Sequence, residues 1–109
     1  DFYLPDVNLI IEVQGDYFHC HPKFDFTYKA LNKNKIISKD KRKHAYFRNK
    51  GVEILYLWEH DIKNDKEKCK ELIKLYIKTK GKLKDFHSYN YLLNKNKLEL
   101  TNNITCIDY

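Results

Sequence analysis

Two β-branched runs constrain what this chain can fold into. Leu9-Ile10-Ile11-Glu12-Val13-Gln14, closed by Gly15, and Val52-Glu53-Ile54-Leu55-Tyr56-Leu57-Trp58 both read as strands. The first is mostly apolar, which predicts a central place in its sheet. Before it, Asp1-Phe2-Tyr3-Leu4 reads as a short strand and Pro5-Asp6-Val7-Asn8 as a turn, so residues 1–14 predict a hairpin. Between the two runs, helix signals dominate. A weakly patterned helix is expected from about Phe26 to Lys35, and a firmer one over 39–50, capped by Ser38 and ended by Gly51. Asn64 is expected to cap a last helix to about Lys80, with Cys69, Leu72, Ile73, Tyr76 and Ile77 on one face and Gly81 after it.

The expected order is β-β-α-β-α, an α/β fold in which a hairpin and a helical crossover build a small mixed sheet flanked by helices. The chain's 109 residues suit a single domain. Residues 1–81 are read as its core. Residues 82–109 are read as an extension of unknown role, with short strands or turns around Asn94-Lys95-Asn96. There is no methionine, and Asp1 falls inside a strand-like pattern, so the chain reads as an excerpt cut on its N-terminal side.

A hydrophobic fraction of 42% with only three glycines and two prolines is globular composition. No apolar run approaches the roughly 20 residues of a membrane span. Cys20, Cys69 and Cys106 are odd in number and form no CxxC pair, which predicts a reduced, intracellular protein. A net charge of +6 suits a polyanionic partner. Lysine-rich composition of the kind an AT-rich genome writes would give the same charge.

The chemistry-bearing stretch is residues 1–22. Side chains alternate along a strand, so Ile10, Glu12 and Gln14 share one face, and the turn brings Asp1 beside the same strand end. Two converging carboxylates repel unless a hard divalent cation such as Mg²⁺ (or Mn²⁺) accepts their oxygens. A solvated polar face on an edge strand would account for Glu12 and Gln14 without a metal. Directly after them, Gly15-Asp16-Tyr17-Phe18-His19-Cys20-His21-Pro22 adds a carboxylate and two imidazoles. Histidine is the side chain suited to accept a proton from metal-bound water near neutral pH.

The pattern D-x₁₀-E-x-Q resembles the signature of the PD-(D/E)xK nucleases, with Gln14 at the lysine position. The string GDYFH, the helix from Lys39 to Phe47, and the strand ending in Trp58-Glu59-His60-Asp61-Ile62 resemble the very-short-patch-repair (Vsr-like) branch, which includes phage homing endonucleases. The resemblance covers about residues 1–62. It implies a restriction-endonuclease-like fold and Mg²⁺-dependent cleavage of double-stranded DNA. Asp1, Glu12 and the Val13 carbonyl would bind metal, and His19 would act as general base. Gln14 and Asp16 would orient water or metal ligands.

The resemblance also implies an upstream helical glutamate that this sequence lacks. The family's structural zinc would need Asp16, His21, Lys23 and His60 as ligands, and an intact zinc site is not expected from that set. Lys39, Lys41, Arg42, Lys43 and Arg48 are candidate phosphate contacts, although a solvated helix face would carry them as well. Tyr17, Phe18, Phe24 and Phe26 could wedge between bases, or pack under the loop. A catalytically impaired DNA-binding module derived from such a nuclease is the alternative, motivated by the missing lysine. A structural interaction domain would leave Asp1 and Glu12 unexplained.

Overall fold

The computed structural model describes residues 1–22 and 30–101, with side chains in the first helix from residue 33 onward. Lys23, Phe24, Phe26 and Cys106 lie outside the described residues, as does the start of the helix expected from Phe26. Along the chain come β1 (Phe2–Leu4), β2 (Leu9–Gln14), α1 (Ala30–Asn49), β3 (Glu53–Trp58), α2 (Glu59–Asn64) and α3 (Lys66–Lys78). A 3-10 turn (Ser88–Asn90), β4 (Tyr91–Asn94) and β5 (Lys97–Leu100) follow. β1 pairs antiparallel with β2, and β2 pairs parallel with β3, so the apolar β2 is central and α1 is the crossover. Among the described residues, no helix is long and apolar enough to cross a membrane.

Strand alternation divides the core. Leu9, Ile11, Leu55 and Leu57 face Cys69, Leu72 and Tyr76 of α3, joined by Tyr91. On the opposite face Ile10, Ile54, Tyr56 and Trp58 pack with Tyr89, Phe86 and the α1 residues Ile37 and Phe47. Glu12, in phase with Ile10, therefore lies on the α1 side. The Tyr76 hydroxyl donates to the Ile10 carbonyl at 3.0 Å, fastening α3 to the central strand.

Two expected caps are corrected. Ser38 lies inside α1, because the helix runs unbroken through the polar stretch from Ala30 to Asn49. Asn64 does not cap the last helix. It ends the separate helix α2 and donates back to the His60 carbonyl at 2.9 Å, while Asp65 accepts from the Lys68 amide at the start of α3. α3 closes where Gly81 donates to the Tyr76 carbonyl at 2.9 Å. Gly81 has φ +87°, and a Cβ there would meet Leu9 Cδ2 at 2.7 Å, so backbone conformation and close approach both require glycine.

Residues 82–101 pack on the core. The Tyr56 amide donates to the Phe86 carbonyl at 2.8 Å, and His87 bridges Tyr56 in parallel, so this segment runs along β3. The β4–β5 hairpin turns at Lys95 and Asn96, both with positive φ, where the sequence predicted a turn.

His87 is 2% exposed, accepts from the Trp58 indole at 3.1 Å, and stacks on Tyr56 and Tyr89. Burial first, then the neighbouring His44 and His21, push its pKa down from 6.5 to about 3. The unfolded chain thus binds a proton below about 6.5 that the folded chain refuses until about 3. Stability should be level above that window and fall with acid inside it, by roughly 2 kcal/mol between pH 6.5 and 5 from His87 alone. His44, lowered chiefly by burial, adds in the same direction. Denaturant melts across this range should show the slope. His87→Gln keeps an acceptor but cannot charge, so an unchanged slope in that variant would reject this origin.

Candidate active site

Phe2 pairs with Ile11, so the antiparallel register places Asp1 opposite Glu12. Asp1 Oδ2 accepts the Val13 amide proton at 2.8 Å, and the nitrogen of residue 1 lies 2.9 Å from Glu12 Oε1. Both acids line one open cleft of about 470 Å³, with Tyr3, Asn8, Phe47 and Lys50 also in its wall. The structure thus places the two acidic residues that the strand pattern singled out opposite each other, in the wall of one cleft.

Glu12 is 8% exposed, and a buried carboxylate needs cationic or hydrogen-bonding partners to stay ionised. Lys43 of α1 supplies one, its Nζ 3.0 Å from Oε1. Burial would raise the Glu12 pKa. The hydrogen bond and charge of Lys43 act against that and favour the ionised carboxylate.

One helical turn before Lys43, Asp40 places Oδ2 2.8 Å from His19 Nδ1. A carboxylate at Nδ1 favours the tautomer that donates there, which leaves Nε2 as the proton-accepting nitrogen. The loop that presents His19 is itself fixed, with His19 N–H donating to the Gly15 carbonyl at 3.0 Å and His21 N–H to the Asp16 carbonyl at 2.9 Å. Sequence reasoning missed Asp40. Its signal was a lone acid in the basic run Lys39-Asp40-Lys41-Arg42-Lys43.

Beneath these groups lies Tyr56, the register partner of Glu12. Its hydroxyl is 3.0 Å from His44 Nδ1. Burial first, then the negative charges of Glu12 and Asp40, push the phenol pKa far up, so Tyr56 stays neutral.

Other expected residues are placed elsewhere. Asp16 turns to α2. Its Oδ1 accepts the His60 amide at 3.3 Å, and its own amide donates to Glu59 Oε1 at 3.2 Å. Burial, then the nearby charges of Glu59 and Asp61, raise the Asp16 pKa despite that bond. Gln14 is 3% exposed, and Val13 projects to the other face. Of the zinc positions, His21 packs its ring against Trp58 and Tyr89. Among the described residues, no three His, Cys, Asp or Glu side chains gather as a set that could hold a metal ion.

The basic residues of α1 have different neighbours. Lys43 meets Glu12, whereas Lys39 and Arg42 line a recess with Asn34, Lys35 and Ser38. Arg48 lines a different hollow with Glu53 and Tyr76. Tyr17 and Phe18, in the His19 loop, pack edge to face, and Phe18 is 71% exposed.

No family model, no curated protein and no solved structure matches this chain.

Proposed function

We propose that this chain is the core of a metal-dependent endonuclease of restriction-endonuclease-like fold that hydrolyses phosphodiester bonds in double-stranded DNA, close to the very-short-patch-repair branch. The observation that carries the reading is Asp1 opposite Glu12 at one strand end, served by a helix that also holds His19 through Asp40.

The donors present fit Mg²⁺ chemistry. Asp1, Glu12 and the Val13 carbonyl offer hard oxygens, and Mg²⁺ commonly takes one or two carboxylates and completes its shell with water and substrate oxygens. When bound, the ion polarises a phosphate and makes water more acidic. His19 Nε2 accepts the proton from the attacking water, and Asp40 holds the ring and stabilises the imidazolium that results. Asp16 is engaged with the backbone of α2, so its contribution is to anchor the loop that carries His19. Lys39 and Arg42, exposed on one side of α1, meet backbone phosphates.

A non-catalytic DNA-binding module is the second reading, favoured by the neutral, buried Gln14 at the lysine position. Supercoiled plasmid incubated with Mg²⁺ or Mn²⁺, with and without chelator, separates the two. Chelator-sensitive nicking or linearisation is expected, and Glu12→Gln should abolish it while DNA binding stays intact or tightens slightly. Retarded but uncut plasmid under every divalent ion would give the site to the binding module. Full cleavage by Glu12→Gln would place the metal elsewhere.

A further inference from the structure

We propose that Lys43, projecting from α1, is the cation of the reacting centre, resting on the nuclease reading: its ammonium contacts the scissile phosphate beside Glu12. Phosphodiester hydrolysis builds negative charge on the non-bridging oxygens, and a fixed cation at that point lowers the barrier. The strand does not provide it, because position 14 carries a neutral amide that is 3% exposed. Lys43 Nζ lies 3.0 Å from Glu12 Oε1, and its side chain is 48% exposed. One end of the group is thus fixed on the carboxylate while the rest stays open to solvent and to a ligand.

The placement on α1 is specific. Asp40 and Lys43 stand one turn apart and reach His19 and Glu12 respectively, so a single helix sets the base and the cation at once. Lys39 and Arg42, next to them in sequence, line another recess, and Lys43 is the one whose contact with Glu12 the structure shows. Lys43 therefore differs in role from the basic residues it sits among. They add sequence-independent affinity, whereas Lys43 acts on the rate. No covalent bond is made to it.

The test compares Lys43→Ala, Lys43→Arg and, as control, Lys70→Ala in single-turnover plasmid cleavage with Mg²⁺, alongside DNA affinity by gel shift. Lys43→Ala is expected to slow cleavage by ~10²–10³-fold, the usual loss for one charge-stabilising donor. Its Kd for DNA should stay within about threefold of the parent, while Lys43→Arg, which keeps the positive charge, keeps more of the rate than Lys43→Ala. Lys70→Ala, which removes an exposed lysine of α3, should change neither rate nor affinity. Equal cleavage by the parent and Lys43→Ala would overturn this proposal and leave the nuclease reading standing. Loss of affinity that fully explains the slower rate would also overturn it. A parent chain that cleaves under no divalent ion would remove the nuclease reading, and this proposal with it.

Discussion

His19→Ala is expected to slow DNA cleavage by ~10²–10⁴-fold near neutral pH, the usual contribution of a positioned general base. The deficit should narrow as pH rises, because hydroxide in solution increasingly replaces the missing proton acceptor. Asp40→Asn tests the other half of the pair. It keeps the volume but offers Nδ1 an amide in place of a charged acceptor, so the ring can take the wrong tautomer and the imidazolium loses its counter-charge. Residues acting as one unit are strongly non-additive, so the double variant should be little slower than His19→Ala alone. DNA affinity should barely change in any of the three, because neither residue adds positive charge near a phosphate except through the protonated ring. Rate profiles between about pH 6 and 9 decide the matter. A His19→Ala variant at the parent rate across that range would make His19 an ordinary loop residue.

The His19–Asp40 contact also shows where sequence reading stopped. Strand alternation and turn chemistry act over a few residues, and from them the hairpin, the central β2 and the approach of Asp1 to Glu12 were all legible. Helix rotation was not. α1 is rich in Lys and Asn and has no apolar stripe to fix which side meets the sheet, so Asp40 and Lys43 could not be told apart from Lys39 and Arg42. Residues adjacent in sequence stand about 100° apart around a helix, so position in a basic run does not say which side chain meets the sheet. The same polar composition made Ser38 resemble a cap in the middle of a helix. At the other end of β3, Asn64 and Asp65 are both competent caps. The choice went to Asp65 because α2 ends one residue earlier.

The largest effect on stability is expected at Lys68, in a network with no sequence signature. Lys68 Nζ lies 2.5 Å from Asp61 Oδ1, and both residues are about 5% exposed. The second carboxylate oxygen accepts from Ser88 Oγ at 2.7 Å, and Ser88 Oγ in turn accepts the Trp58 amide proton at 2.8 Å. This chain ties α2, α3 and the 3-10 turn to the end of β3, next to the Glu59 and His60 contacts that hold Asp16. Lys68→Met removes the ammonium and leaves the Asp61 charge buried without its counter-ion. Such a change costs ~3–5 kcal/mol, a large fraction of the ~5–15 kcal/mol that holds a small domain together. At ~4–8 °C per kcal/mol for a domain near this size, Tm should fall by more than about 12 °C. Asp61→Asn in the Lys68→Met background removes the stranded charge while its carbonyl oxygen can still accept from Ser88. The double variant should therefore recover a large part of the loss. Calorimetry or denaturant melts of the four proteins give the coupling directly. A double variant less stable than Lys68→Met alone would mean that the cost lies in lost packing of the lysine stem, not in the buried charge. A Lys68→Met protein as stable as the parent would show that water reaches Asp61 and that α2 is held by its apolar contacts.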